Sequence, residues 1–533
     1  GRPAGGARRG PVTSSLLGVG LAMAVVVVAS RALARRTGVP YPVFLVVAGA
    51  AGSFVPGVPA IHLDPKVVFF GFLPPLIYHA GLVTSPRELR AHALPIGLGA
   101  FGLVLATTFA VAGSAWAAVP ALGWAGAFVL GAVVAPTDPV AATSVLGRLG
   151  APPGLTTVLE GESLVNDGIA LSLLTLGVAA VSSPIGLGGG LVTFVRLVAG
   201  GVGFGLVVGW AATRLRRPMR DTASEIVVSL LVPFVAYLLA DALGLSGVLA
   251  TLTTGLMLGQ QGSHGIGPGG RIRVAEFWQV LVFLLESVLF VLVGFQLRSI
   301  VDGLSPGRPG HGALLAGVTV GAVVVVRLIW WLAVPTLRWR PEQRILDTGE
   351  VPWQDRVALG WCGLRGAISL AAALSIPTVV RGRPFPERNL VVFAAFCVVV
   401  ATLVGQGTSL TWLLRKLSLV GSDVEQRQHA LADRRCIEGA LLCLDEMSAT
   451  HHVPDAVADT LRQAYERRLD RLRSQLDDDI PDPTGLTLAA VRHRLIERQH
   501  QVLRRLYRDG EISFTVMRQV RRELDLEQAS LDP

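Results

Sequence analysis

The sequence predicts an all-α, polytopic membrane protein with about thirteen transmembrane helices and a helical tail. Of its 533 residues 51% are apolar and only 16% are charged, a balance too apolar for a soluble chain of this length. Apolar stretches of ~20 residues, each long enough to cross ~30 Å of hydrocarbon, recur up to about residue 416. The 61 glycines suit close helix packing and broken helices in a lipid bilayer.

Each predicted span is an apolar stretch bounded by polar or turn-forming residues, with ends accurate to a few residues. The spans cover residues 14–33, 40–56, 67–84, 92–117, 122–147, 155–181, 187–213, 225–243, 245–260, 275–297, 312–336, 355–377 and 389–415. The pair 225–243 and 245–260 has a second interpretation, as one long broken segment. That interpretation would reverse the orientation of every preceding span.

Basic residues in the loops predict the orientation. With the tail in the cytoplasm, the loops on the tail's side contain sixteen arginines, and the opposite loops contain six basic residues. This bias follows the positive-inside rule, so we expect a plasma-membrane protein whose tail is cytoplasmic. The formal net charge of +9 then reflects loops that face an anionic leaflet, and we expect no nucleic-acid partner.

The chain divides by composition into a transmembrane domain, 1–416, and a cytoplasmic helical tail, 417–533. In the tail, apolar residues recur at helical spacing among charged ones, and a second helical stretch is expected at about 486–507. A packing or dimerisation module and a regulatory sensor are both open interpretations of the tail. The four cysteines fit neither a disulfide framework nor a metal site.

The fifth span contains the motif Ala-Pro-Thr-Asp-Pro-Val at 135–140. Its two prolines remove backbone donors and interrupt the helix, which lipid tolerates only where the backbone lines a protein cavity. Thr137 and Asp138 lie at this break, where carbonyl and carboxylate oxygens could coordinate a hard cation. The alternative is a proline kink whose aspartate only caps a helix.

The sixth span carries Glu160, Glu162, Asn166 and Asp167, although a carboxylate at mid-membrane costs ~2.5 kcal/mol or more. Ser163 precedes Asp167 by four residues, so hydroxyl and carboxylate share a helix face and could coordinate one ion. A buried carboxylate without a fixed positive partner can exchange a proton for a cation. A structural hydrogen-bond network is the alternative.

Two arginines lie inside late spans. Arg327 needs a buried partner, and Glu162 is the first candidate. Arg365 lies between Gly363 and Gly366, which permit a break in the twelfth span. Corresponding broken helices in two halves are typical of transporters built from inverted repeats, and an acid and a base at the crossing could offset the half-helix dipoles.

These motifs together resemble the monovalent cation/proton antiporter family, in its branch of sodium/proton exchangers. The resemblance rests on PTDPVA at 136–141, GESLVNDG at 161–168 and GLRGAISLAAAL at 363–374, supported by LPPL at 73–76 and FVLVGFQL at 290–297. It implies thirteen spans, a homodimer, a moving core of spans 4–6 and 11–13, and a dimer scaffold of spans 1–3 and 7–10.

The resemblance also implies the role of each site residue. It places Na⁺ or the proton at Asp167, with Asp138, Ser163 and Thr137 completing the ion site. It associates Asn166 with electroneutral exchange, pairs Glu162 with Arg327, and places Arg365 in the glycine-flanked motif of the crossing. Many relatives have a glutamate where this chain has His79, which puts an accessory acid there in doubt.

We therefore expect a secondary antiporter, not an enzyme, that exchanges Na⁺ or Li⁺ for H⁺ by alternating access and needs no cofactor. Its partners would be monovalent cations, protons, the bilayer and a second copy of the chain. A K⁺/H⁺ antiporter of the same fold is the nearest alternative. A channel or an ion-sensing protein is the more distant one.

Overall fold

A computed structural model describes residues 11–56, 64–182, 186–219, 221–261, 268–303, 309–333, 352–419, 424–449 and 454–476. The chain forms two compact units, Gly1–Ser422 and Asp423–Pro533. The predicted domain boundary at 416/417 lies six residues before the boundary between these units. The predicted helix at 486–507 lies outside the described residues.

The described part of the first unit is built almost entirely of helices. They are α1 (Pro11–Thr37), α2 (Tyr41–Gly52), α3 (Pro65–Val67), α4 (Leu73–Val83), α5 (Pro86–Ala91), α6 (Ala93–Gly97), α7 (Val104–Ala118), α8 (Gly123–Val134), α9 (Val140–Leu149), α10 (Pro153–Ser182), α11 (Leu187–Arg216), α12 (Thr222–Ala242), α13 (Gly247–Gln261), α14 (Pro268–Asp302), α15 (Pro309–Ala333), α16 (Trp353–Trp361), α17 (Ala367–Leu374), α18 (Arg388–Val400) and α19 (Gly407–Lys416).

Short segments complete this unit. π-Helical segments join α3 to α4, α6 to α7 and α18 to α19; they are Val68–Phe72, Leu98–Leu103 and Ala401–Gln406. A 3₁₀ turn, Pro120–Leu122, leads into α8. The strands β1 (Val379–Val380) and β2 (Arg383–Pro384) pair antiparallel, with Val379 opposite Pro384.

Every predicted span coincides with a helix or a helix pair. Eight helical stretches of the described residues are long and apolar enough to cross a membrane, which establishes a multi-span membrane protein. They are Pro65–Val83, Ala93–Ala118, Gly154–Val181, Gly188–Arg216, Thr222–Ala242, Gly270–Asp302, Gly310–Ala333 and Arg388–Lys416. The total of thirteen stays a prediction, because α2 and α13 are shorter than these eight stretches and the helices of the fifth and twelfth spans are interrupted.

Helices α12 and α13 resolve the ambiguous pair of predicted spans. The chain leaves α12 through Gly244, whose φ of +67° lies in the left-handed region where glycine carries no Cβ penalty. The Leu245 amide then donates to the carbonyl of Ala240 at 2.9 Å, a pattern typical of a Schellman helix end. The two helices pack against each other, so they are separate helices and not one broken segment.

Glycine lets two long helices of the first unit cross closely. Gly49 on α2 faces Gly294 on α14, and a Cβ added to Gly294 would lie 2.9 Å from the Cα of Gly49. A larger residue at either position would push the helices apart, because their backbones already touch. By contrast, the outer face of α11 carries exposed apolar side chains such as Val192 and Val207, as expected of a helix bordering lipid.

The second unit contains α20 (Val424–Ala449) and α21 (Asp455–Leu476), which pack against each other. Arg462 on α21 bonds Asp445 on α20 at 2.6 Å, and buried Leu444 and Ala458 contribute to its apolar interior. Within residues 424–449 and 454–476, this unit is therefore a helical pair with an amphipathic interface.

Candidate functional site

The two predicted helix breaks lie against each other. One separates α8 from α9 at residues 135–139, and the other separates α16 from α17 at residues 362–366. The amide of Asp138 in the first break donates to the carbonyl of Leu364 in the second at 2.8 Å. Pro136 and Pro139 have no backbone N–H to donate within a helix, and the extended Gly366 precedes α17. Both interrupted segments therefore have backbone N–H or C=O groups at the crossing that no helix pairs.

Charged side chains at the crossing lie at helix ends whose partial charge is of the opposite sign. The carboxylate of Asp138 accepts a hydrogen bond from the Val140 amide at 3.0 Å and lies against Gly366, which immediately precedes α17. Arg365 is 1% exposed and donates to the carbonyls of Val134 and Ala135, at 2.9 and 3.4 Å, at the end of α8. An anion thus lies at two helix N-termini and a cation at a C-terminus, as their dipoles favour.

The most buried charges form one ion pair. Arg327 on α15 donates to both carboxylate oxygens of Glu162 on α10, at 2.5 and 3.1 Å. Its remaining Nε–H donates to the carbonyl of Leu359 at 3.2 Å. Both ionised side chains are almost inaccessible to solvent. Glu162 is therefore already neutralised by a partner and is not free to bind a transported cation.

Thr137 connects this ion pair to the neighbouring polar residues. Its hydroxyl donates to Glu162 at 3.1 Å and accepts a hydrogen bond from the Asn166 side-chain amide at 2.9 Å. Its carbonyl oxygen accepts from the Ser163 hydroxyl at 2.8 Å. The hydroxyl of Thr137 is thus engaged twice, and the carbonyl retains one lone pair for a ligand.

Asp167 differs from the other buried acids. Its side chain is 8% exposed, and it forms no hydrogen bond or ion pair with any residue that the structure describes. Arg327 and Arg365 are both engaged elsewhere, by Glu162 and by backbone carbonyls. The carboxylate is therefore neither locked against an arginine nor placed in bulk solvent.

A cavity of about 400 Å³ connects these groups. Asp138, Ser163 and Asp167 line it, together with Glu286 on α14. The cavity extends to Thr84, at the end of α4, and to Glu160 in the second turn of α10. The carboxylates, the Ser163 hydroxyl and the Thr137 carbonyl supply the oxygen ligands that hard cations prefer.

His79 also lines this cavity. Its ring stacks on Trp278, with centroids 5.8 Å apart and planes inclined by 23°. The side chain thus packs along the cavity wall and adds no carboxylate to it.

Two features near the site were not predicted from the sequence. The π-helical segment Leu98–Leu103 lies over Glu162, because a Cβ added to Gly99 would come within 3.0 Å of the glutamate's Cγ. Tyr41 on α2 donates its hydroxyl proton to Glu286 at 2.9 Å. Both contacts join residues far apart in sequence. The prolines that precede these segments and the aromatic residues within them do not, on their own, predict either contact.

Comparison with known proteins finds a family model and relatives that match most of the chain. The sequence model of the family described as "Sodium/hydrogen exchanger, transmembrane" matches residues 21–416. An uncharacterised Na⁺/H⁺ exchanger of Mycobacterium tuberculosis is 35% identical over 96% of both chains. The low-affinity Na⁺/H⁺ antiporter NhaS1 of Synechocystis sp. is 33% identical over 82% of this chain and 81% of its own.

A solved structure shares the fold. The sodium proton antiporter MjNhaP1 from Methanocaldococcus jannaschii superimposes with a TM-score of 0.57, covering 76% of this chain and 99% of that one. Sequence identity between the two is 17%, so this likeness concerns the fold alone.

Proposed function

The chain belongs to the sodium/hydrogen exchanger family, and from this premise we propose that it exchanges Na⁺ for H⁺ by alternating access at a single carboxylate, Asp167. It is a transporter and not an enzyme. The observation that carries the assignment of the site is that Asp167 is a buried acid on a cavity wall without a hydrogen-bond or ion-pair partner among the described residues.

One shared carboxylate is sufficient to couple the two ions. An unpaired charge held away from water is costly, so bare Asp167 resists the conformational change that carries the site across the membrane. Either a proton or Na⁺ neutralises the carboxylate and removes that cost. Because the two ions compete for one group, each crossing carries one of them, and one-for-one exchange would be electroneutral.

The neighbouring residues have distinct roles in this proposal. Asp138, the Ser163 hydroxyl and the Thr137 carbonyl complete the Na⁺ ligands around Asp167. Asn166 holds the Thr137 hydroxyl and thereby fixes the carbonyl of the same residue. The pair of Glu162 and Arg327 and the capping residue Arg365 keep the crossing assembled, and no resident cofactor is required.

The orientation and assembly follow from the loop charges and from the resemblance. The tail is cytoplasmic in this proposal, and the cavity then opens toward the cytoplasm, because Thr84 precedes the arginine-rich loop of Arg87 and Arg90. Spans 4–6 and 11–13 form the moving core, and the remaining spans form the scaffold of a plasma-membrane homodimer. Chemical cross-linking in intact membranes measures that assembly directly.

Na⁺ is favoured over K⁺ as the exchanged cation. Both curated relatives described above are named for Na⁺/H⁺ exchange. Comparing Na⁺, Li⁺ and K⁺ in one dye-based antiport assay measures the preference.

The direct test is Asp167→Asn in proteoliposomes. Asparagine keeps the size of the side chain but can neither bind a proton nor neutralise Na⁺, so Na⁺-driven proton movement should be abolished while the protein still folds. Asp241→Asn is the matched control, since Asp241 is an exposed acid at the end of α12 outside the cavity. Unchanged exchange in Asp167→Asn would refute the site.

A further inference from the structure

One acid that lines the cavity has no part in the exchange described above. Glu286 lies in the middle of α14, facing the same cavity as Asp138 and Asp167. An ionised carboxylate is costly at this depth. At Glu162, an acid that does not bind the transported ion, the fold neutralises the carboxylate with an arginine, Arg327. No lysine or arginine lines the cavity around Glu286.

Tyr41 fixes the orientation of this carboxylate. Its hydroxyl donates to Glu286 Oε2 at 2.9 Å, and no described residue donates to Oε1. The Tyr41 ring packs on Phe283, one turn before Glu286, with centroids 5.8 Å apart. The Arg31 guanidinium covers the same Phe283 ring at 4.9 Å from its centroid. One carboxylate oxygen is thus held, and the other remains available to a ligand.

The charges around the cavity favour a cation beside Glu286. Asp138 lines the same cavity as Glu286, and the two carboxylates repel each other when both are ionised. Glu160 and Asp167 add negative charge to the lining, and His79 is its one basic side chain. A cavity lined by one sign of charge with apolar walls concentrates the opposite ion, and a cation between two carboxylates relieves their repulsion.

We propose that Glu286 is a second cation-binding residue, which holds Na⁺ in the cavity before the ion reaches Asp167, and that Tyr41 is its positioning residue. This inference rests on the proposed function, in which α14 belongs to the static scaffold. Glu286 then stays in place while Asp138 and Asp167 move. It assists binding only from the side to which the cavity opens.

The test measures Na⁺-dependent proton transport from each side, in right-side-out and in everted vesicles. With Glu286→Gln, the KM for Na⁺ on the cavity side should rise roughly tenfold, the effect of losing one contact to a charged group. The maximal rate and the KM on the other side should stay near those of the unmodified protein. Tyr41→Phe should give a smaller rise on the same side, and Glu286→Asp should restore part of the affinity.

Glu160→Gln is the matched control, because it removes the same charge from the same cavity on the core helix α10. If Glu160 only attracts cations to the cavity at long range, added choline chloride should remove any rise in the KM for Na⁺ caused by Glu160→Gln, whereas the rise caused by Glu286→Gln should persist. An unchanged KM in Glu286→Gln, or equal changes on both sides, would overturn the inference. If Asp167→Asn also transports normally, the proposed function itself fails; if Asp167→Asn is inactive, only the role of Glu286 fails.

Discussion

Replacing Arg327 by methionine tests whether the buried ion pair holds the crossing together. Arg327 is 1% exposed and provides two hydrogen bonds to Glu162 and one to the Leu359 carbonyl. Removing one partner of such a pair leaves an uncompensated charge and costs about 3–5 kcal/mol. That cost lowers the ratio of folded to unfolded protein by about two to four orders of magnitude.

The decisive variant is the double substitution of Arg327→Met with Glu162→Gln. A neutral amide at 162 can still accept the hydrogen bond from the Thr137 hydroxyl, so most of the lost stability should return. The free energy of unfolding of both single variants and the double variant, measured by denaturant titration in detergent, gives the coupling between the two positions. Single variants as stable as the unmodified protein, or a double variant no more stable than Arg327→Met, would show that the ion pair does not stabilise the crossing.

Two further predictions concern the crossing. A Cβ at Gly366 would lie 2.6 Å from the Cγ of Asp138, so Gly366→Ala should displace that carboxylate and raise the KM for Na⁺. Gly113 has open space around it, so Gly113→Ala should leave the KM unchanged. Equal effects of the two variants on Na⁺ uptake would contradict this. Arg365→Lys keeps the charge but cannot reach several carbonyls at once, so it should lower the thermal midpoint and the exchange rate; wild-type values in both assays would show that charge alone suffices.

The helix breaks were predictable because their signals are local. Pro136 and Pro139 cannot complete a helix, and the glycines around Arg365 permit an extended turn, whatever surrounds them. The partner of Arg327 was also predictable, since few acids lie deep enough in the membrane to neutralise the arginine. Both inferences used the cost of leaving a polar group unsatisfied in lipid.

The finer geometry of the site depends on contacts between distant segments. Sequence suggested Thr137 as a cation ligand, but only the fold shows its hydroxyl engaged by Glu162 and Asn166. The bond from Tyr41 to Glu286 joins residues 245 positions apart, and no spacing rule reaches that far. The spans 225–243 and 245–260 were correctly placed as two helices but stayed ambiguous in the sequence, because the turn at Gly244 is too short to stand out from two apolar helices.

The central claim is tested most directly by measuring Na⁺ binding to the purified protein as a function of pH. If Na⁺ and H⁺ compete for Asp167, the apparent Kd for Na⁺ rises about tenfold for each unit of pH below the pH at which the carboxylate becomes protonated, by reciprocal linkage. Asp167→Asn combined with Glu286→Gln, which also removes the second cation-binding residue, should then show no Na⁺ binding at any pH. A Kd that is independent of pH, or Na⁺ binding retained by the double variant, would contradict a shared site.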